Sequence, residues 1–297
     1  MRHQGLLRIV TTVLLFTVEL SEAGEKLSVY AVNYPLQYFA QRIAGEQAEV
    51  ILPVPPGIDP AFWQPDVGII ANFQQADIIL LNGAGYAKWV NRVSLPRRKL
   101  VDTSAGFRDR YIHEERSLTH SHGREGDHSH AGTAFTTWLD FTLAVEQARV
   151  VAAALSRRQP GSKDVFARNL ASLEKDLLDL DRRVQEIVAM NPDRQLLASH
   201  PVYQYFRHRY GLNLKSVMWE PDAIPNEMQW SELVRLLTGH PADWMIWEGE
   251  PALESVTRLS GMGIDSLVFD PCGNRPPAGD FLSVMQQNMQ NLERAFQ

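Results

Sequence analysis

Short apolar runs alternate with helix-length stretches along the chain from Leu27 onward. In the first half, LSVYAV, AEVILPV, ADIILLNG and KLVDTS have the length and composition of buried strands. QLLASH, LKSVMWE, DWMIWEGE and SLVFD repeat the pattern in the second half. Between them, Pro35–Gly45 carries Leu36, Phe39, Ala40 and Ile43 on one helical face and ends at a glycine. EMQWSELVRLLTG is a further stretch of helical spacing. Such alternation predicts parallel sheets covered on both faces.

A longer element joins the halves. After Pro160-Gly161, Ser162 is placed to cap a helix running to about Met190. Phe166, Leu170, Leu173, Leu177, Leu180, Val184 and Ile187 recur at alternating four- and three-residue steps, which makes one apolar stripe. At 1.5 Å per residue such a helix is roughly 40 Å long, enough to run the length of a two-lobed protein. A coiled-coil seam between two copies is the rival use of the stripe. The folded α/β material on both flanks favours burial within one chain, and hence a monomer. The expected fold is therefore α/β: two lobes with parallel-sheet cores joined by one long rigid helix. Its divisions are residues 24–160, 161–190 and 191–297.

Two segments fall outside this pattern. The first is N-terminal: Arg2 and Arg8 precede the apolar run Ile9–Val18, and Ser21-Glu22-Ala23 offers small residues where a signal peptidase reads them. The run is shorter than the roughly 20 residues a spanning helix needs. Residues 1–23 are expected to be a signal peptide cleaved near Ala23, with export to a periplasm. The second is the stretch 118–133, LTHSHGREGDHSHAGT, which has no apolar periodicity and belongs in a surface loop. It holds His120, His122, His128 and His130 in two His-x-His pairs.

Composition narrows the class. The 297 residues are 44% hydrophobic and 22% charged, which excludes disorder, collagen and a polytopic membrane protein. The net charge of −6 gives no electrostatic basis for nucleic-acid binding. Cys272 is the single cysteine, so neither an internal disulfide framework nor a multi-cysteine metal site is available. No enzyme signature stands out. Lys88 occupies the third glycine position after Gly83 and Gly85, and no phosphate loop, Gly-x-Ser-x-Gly elbow or His-Glu-x-x-His is present. The chain is read as a non-enzyme.

The candidate chemistry is metal ligation. Neutral imidazole binds zinc and related ions, and four imidazoles on one loop can share an ion at modest affinity. Specific ligand sites in open α/β sheets lie past the carboxyl ends of the strands. Asn82, His200, Glu248 and Asp270 fall there, and His200 with Asp270 forms the leading pair of metal ligands. Glu220, Asp222 and Glu250 are nearby acids with weaker claims. Trp63, Trp138, Trp219 and Trp247 are read as packing residues, and Cys272 as an inert thiol.

Taken in order, these motifs resemble the periplasmic zinc/manganese-binding receptors of ABC-type metal importers. LSVYAVNYPLQYFAQRIAG is similar to that family's first strand and helix, and PPGIDPAFWQP to its first ligand loop. ADIILLNGAGYAKWV, the histidine-rich insertion, TWLD, the long helix and ASHPVYQYFRHRYGL follow in the family's order. The resemblance implies two α/β lobes on a helical backbone, a divalent metal held between them, and delivery to a membrane permease. It also implies four ligands, of which His200 and Asp270 are matched. The histidine expected after Asp59-Pro60 is Ala61, and the one expected two residues before Trp138 is Thr136.

Three functions are compatible with this. The first is a receptor that binds a divalent metal, zinc foremost and manganese or another ion otherwise, for an ABC-type permease. Its cleft would hold the ion through His200, Asp270 and another acid such as Glu248. The second is a solute-binding module for a metal chelate or small organic cargo. The third is a periplasmic zinc buffer or chaperone acting through the histidine loop alone.

Overall fold

The computed structural model describes residues 26–114, 119–121, 127–129 and 132–297. The first sheet holds β1 (Leu27–Ala31), β2 (Ala48–Ile51), β3 (Ile78–Leu81) and β4 (Leu100–Asp102) in the order β2-β1-β3-β4. All its pairings are parallel, with Val29 opposite Val50 on one side and Ile78 on the other. Two short antiparallel pairs follow. In one, β5 (His113–Glu114) meets β8 (Gly132–Thr133); in the other, β6 (Thr119–Ser121) meets β7 (Asp127–Ser129). The second sheet repeats the topology of the first in the order β10-β9-β11-β12. Its strands are β9 (Gln195–Ala198), β10 (Asn213–Ser216), β11 (Trp244–Trp247) and β12 (Asp265–Val268), again all parallel. Each of these strands lies inside, or within one residue of, an apolar run read from the sequence.

The helices are α1 (Tyr34–Ala44), α2 (Val67–Gln75), α3 (Phe141–Arg158), α4 (Lys163–Met190), α5 (Gln204–Tyr210), α6 (Glu227–Gly239), α7 (Leu253–Gly261) and α8 (Phe281–Phe296). Helix α1 starts where the Asn33 side chain accepts the Leu36 N–H, and it stops at Gly45 with φ of 55°. Its Leu36, Phe39, Ala40 and Ile43 are fully buried. Among the described residues, no helix is long and apolar enough to cross a membrane.

The apolar stripe of α4 is covered within the chain. Phe166, Leu173, Leu177, Val184 and Ile187 are fully buried, and α4 packs against α1, α3 and α8. The same apolar cluster takes in Val29 and Ile79 of the first sheet and Leu196, Ile246 and Leu267 of the second. One continuous core therefore runs along α4 through both lobes. The C-terminal helix reinforces it by returning to the first lobe, where the Phe281 ring meets Phe39 at 5.5 Å and Tyr38 at 5.6 Å. A smaller cluster of Trp219, Trp230, Leu233, Trp247 and Leu259 serves the second lobe. The expected Ser162 cap does not form. A 3-10 turn at Pro160–Ser162 precedes α4, and the Ser162 hydroxyl donates to Gln47 Oε1 at 2.9 Å instead.

The exit of β3 is a tight backbone site. Gly83 has φ of 76°, and a Cβ there would meet the Ser104 hydroxyl, Asp102 Oδ1 at 2.5 Å and the Tyr111 hydroxyl at 2.8 Å. Those three groups already bond to one another, so none can retreat freely. A left-handed backbone alone costs an L-residue about 1–2 kcal/mol. Gly83→Ala is expected to destabilise the protein by about 2 kcal/mol or more, measured by urea unfolding. A change below about 0.5 kcal/mol would show that the loop yields.

Candidate metal centre

Backbone pairing past the second sheet draws three ligand-type side chains together. Ser199 N–H donates to Ile246 O at 2.8 Å, and Trp219 N–H donates to Ser199 O at 2.7 Å. These bonds clamp the exits of β9, β10 and β11 side by side, so the next residues, His200, Glu220 and Glu248, emerge together. His200 Nδ1 lies 2.9 Å from Glu248 Oε1 and 3.5 Å from Glu220 Oε1. One ligand atom from each of the three falls within 4.8 Å of the others. Trp219 and Trp247, which directly precede the two glutamates, are buried and lie 6.1 Å apart between ring centroids with their planes tilted by 41°.

His200 is only 2% exposed. Burial opposes a charge on its ring, but the Glu248 carboxylate, with Glu220 and Asp59 behind it, outweighs this and raises its pKa above the ordinary 6.5. The cluster thus sets one imidazole nitrogen against two carboxylates. A divalent cation suits such a set, because it satisfies both carboxylates and the neutral ring at once.

Asp270, expected as the partner of His200, is placed differently. Its Oδ1 accepts the Cys272 N–H at 2.7 Å, and its backbone is tied to the Asn288 side chain. Burial, with a further push from the Glu248 charge, raises its pKa although the Cys272 N–H lowers it. Asp270 is therefore within electrostatic reach of the cluster, while the compact trio consists of His200, Glu220 and Glu248. Asn82 is spent on structure: Nδ2 donates to Phe135 O at 2.9 Å, and Oδ1 accepts from Asn33 and Gln147. Asp222 and Glu250 are exposed and outside the trio. Cys272 is buried with its thiol pKa raised, first by burial and then by Asp270.

On the first-lobe side, the two positions where the resemblance expects histidines hold no nitrogen ligand. Ala61 is fully buried, with its N–H bonded to Asp59 Oδ1 at 2.8 Å. The Thr136 hydroxyl donates to Val202 O at 2.6 Å, so it serves as a bolt onto the segment that follows His200. In the histidine-rich stretch, the backbones of His120 and His128 pair across the β6–β7 hairpin, where the sequence reads as loop. His122 and His130 lie outside the described residues. Glu220 carries a weaker claim in the sequence, alongside Asp222 and Glu250, yet one trace sets it apart: Trp219-Glu220 and Trp247-Glu248 are the same dipeptide at two strand exits of one lobe.

Two parallel four-stranded sheets of identical strand order, strung along one long helix with a polar cluster at the strand exits, define a two-lobed α/β solute-binding protein. The chain matches the family described as zinc-uptake complex component A, periplasmic (ZnuA), over residues 29–295, and it belongs to that family. This is a family of binding receptors rather than of enzymes. The zinc-binding lipoprotein AdcA of Streptococcus pneumoniae is 25% identical over 285 residues, covering 92% of this chain and 56% of AdcA. The chain thus spans a little over half of that relative's length. The high-affinity zinc uptake system protein ZnuA of Bacillus subtilis is 26% identical over 288 residues, covering 91% of this chain and 88% of the relative. Among solved structures, the metal-dependent lipoprotein YcdH of Bacillus subtilis superposes with a TM-score of 0.77 at 20% identity, over 91% of this chain and 98% of that one. The Zn(II)-bound ZnuA-like domain of AdcA superposes with a TM-score of 0.76 at 21% identity, over 91% and 98%. At such identity these two superpositions speak for the fold.

Proposed function

We propose that this chain is an exported receptor that binds a divalent metal, zinc foremost, at His200, Glu220 and Glu248 and delivers it to an ABC-type membrane permease. The observation that carries the reading is the convergence of those three side chains at strand exits of one lobe, in a chain of a zinc-uptake family. One imidazole and two carboxylates suit zinc or manganese, and among the described residues they supply three ligands of such a site. Asp270 is the reserve ligand, and the histidine stretch 118–133 would feed the site. Residues 1–23 would direct export to the periplasm and be removed.

Zinc titration calorimetry on the metal-stripped protein tests this. A single tight site is expected to survive deletion of residues 118–133 and to disappear in His200→Ala. Weak multiple binding that vanishes with the stretch would instead mean a buffer acting through the histidines alone.

The same titration has a defined pH dependence. The raised His200 pKa means that the metal-free fold favours the protonated ring, a stabilisation present below pH 6.5 and lost as pH rises through the folded value. Metal needs the neutral ring, so protons compete from a pH above 6.5 downward. Zinc affinity is expected to fall with a slope of about one decade per pH unit below that point. A flat profile between pH 8 and about 6 would remove His200 from the ligand set.

A further inference from the structure

All three residues of the trio come from the second lobe, yet they are largely covered. The His200 side chain is 3% exposed, and those of Glu220 and Glu248 keep 22% and 21% of their surface. Two sets of hydrogen bonds tie the lobes together. One lies just after His200 in the chain, where the Thr136 hydroxyl donates to Val202 O and the Tyr205 hydroxyl donates to Ala134 O at 3.1 Å. The other lies just after Asp270.

There, residues 271–275 leave the second sheet and fasten onto the first lobe. Pro271 O accepts the Trp138 Nε1–H at 2.7 Å, and Gly273 O accepts the Tyr34 N–H at 2.9 Å. Asn274 Nδ2 donates to Pro55 O at 2.7 Å and to Ile58 O at 2.8 Å. The Arg275 guanidinium donates to Leu52 O and, at 3.4 Å, to Val54 O. The carbonyls held by these two side chains all belong to the segment 52–58, which runs on from β2. Ile58 N–H closes a turn onto Pro55 O at 3.4 Å, around Gly57 with φ of 75°. Asp59 follows that turn directly, and its charge is among those that raise the His200 pKa. The segment that Asn274 and Arg275 hold therefore ends facing the cluster. At the other end, Asp270 Oδ1 holds the Cys272 N–H, and Cys272 sits at φ of 58°, a conformation that surrounding contacts must impose on a residue with a Cβ.

We propose that Asn274 and Arg275 form an interlobe strap that governs how fast a metal ion enters and leaves the cluster. Seated, the strap keeps the segment 52–59 against the strand exits of the second lobe; an ion passes when it lifts. This rests on the metal reading of the trio. Among the described residues, none of the strap's hydrogen bonds goes to His200, Glu220 or Glu248. Lifting it therefore lowers one barrier that entry and exit share and leaves the ligand set intact. Loss of a ligand acts mainly on dissociation, whereas loss of a shared barrier acts on both rates and cancels in the affinity.

Stopped-flow zinc binding to the metal-stripped protein, with release followed in excess chelator, tests it. Asn274→Ala removes two hydrogen bonds to backbone carbonyls and is expected to raise the association and dissociation rates together by about tenfold. The dissociation constant is expected to stay within about twofold. Arg275→Lys, which keeps a donor for the Leu52 carbonyl, is expected to exchange zinc more slowly than Arg275→Ala. Hydrogen exchange on the metal-free protein gives a second readout: in Asn274→Ala the Ile58 amide is expected to exchange about tenfold faster, with the β9 and β11 amides unchanged. Unchanged zinc rates in Asn274→Ala overturn the proposal, whatever Ile58 does. So does faster dissociation alone, which would make the strap a support for a ligand, and so does faster exchange throughout β9 and β11, which would mean general loosening. Wild-type protein that binds no zinc would instead overturn the metal reading, before any variant is compared.

Discussion

Replacing Glu248 by Gln is expected to weaken zinc binding by about 100-fold or more, whereas Asp270→Asn costs about tenfold or less. Structural zinc sites are worth about 10–16 kcal/mol in total, so each of four ligands carries roughly 3 kcal/mol, or about two decades of affinity. Glu248 Oε1 is 2.9 Å from His200 Nδ1, a distance that fits either of two roles. It can share the metal with the imidazole, or it can hold Nδ1–H while Nε2 binds. In the second role glutamine still accepts the hydrogen bond and orients the ring, and the loss stays within the range of a supporting partner, about 10–100-fold. Glu220→Gln separates the two, because Glu220 is 3.5 Å from the same nitrogen, farther than the 2.9 Å of Glu248 that would hold Nδ1–H. Comparable losses in both variants support the trio. A loss confined to Asp270→Asn would move the site toward β12 and away from the two Trp-Glu exits.

The sheets and the long helix were legible in the sequence because both depend on local pattern. Strand runs such as IILL and WMIW are apolar throughout, as buried parallel strands are, and the α4 stripe keeps its step for the whole helix. What escaped depends on contacts between distant segments. Ser162 has the right residue type to cap α4, but Gln47 competes for its hydroxyl from more than a hundred residues away. Asp270 sits at the right strand exit, but the turn it enters gives Cys272 a φ of 58° and brings the Cys272 N–H onto its carboxylate. Glu220 is separated from its strand by Val217–Trp219, so its approach to His200 depends on the Trp219–Ser199 backbone bond. Strand exits can be read from hydrophobic runs; the direction a side chain takes after the exit is set by turns and ladder tails.

Asp181→Ala is expected to destabilise the protein by about 3 kcal/mol and to lower the melting temperature by roughly 6–10 °C. Asp181 is 6% exposed on the second-lobe half of α4 and is the anchor for α5. Arg209 donates to both its oxygens at 2.9 and 2.8 Å, Tyr210 OH at 3.0 Å, and Gln185 at 2.6 Å. Alanine would leave the buried Tyr210 hydroxyl without this acceptor and, among the described residues, Arg209 with only Asp140, 3.8 Å away, as its ion-pair partner. The cost comes mainly from stranded partners rather than from the pair's own attraction. The triple variant Asp181→Leu, Arg209→Met, Tyr210→Phe, which removes all of them together, is therefore expected to recover most of the loss. If the triple variant is as unstable as Asp181→Ala, packing around α5 rather than stranded polarity is responsible. Because α5 begins four residues after His200, a loosened α5 also frees the segment that holds the imidazole. Zinc affinity in Asp181→Ala is expected to drop only about threefold to tenfold, and the triple variant is expected to restore it. A loss as large as that of Glu248→Gln would mean that the α4–α5 anchor, and not the ligands alone, sets the geometry of the site.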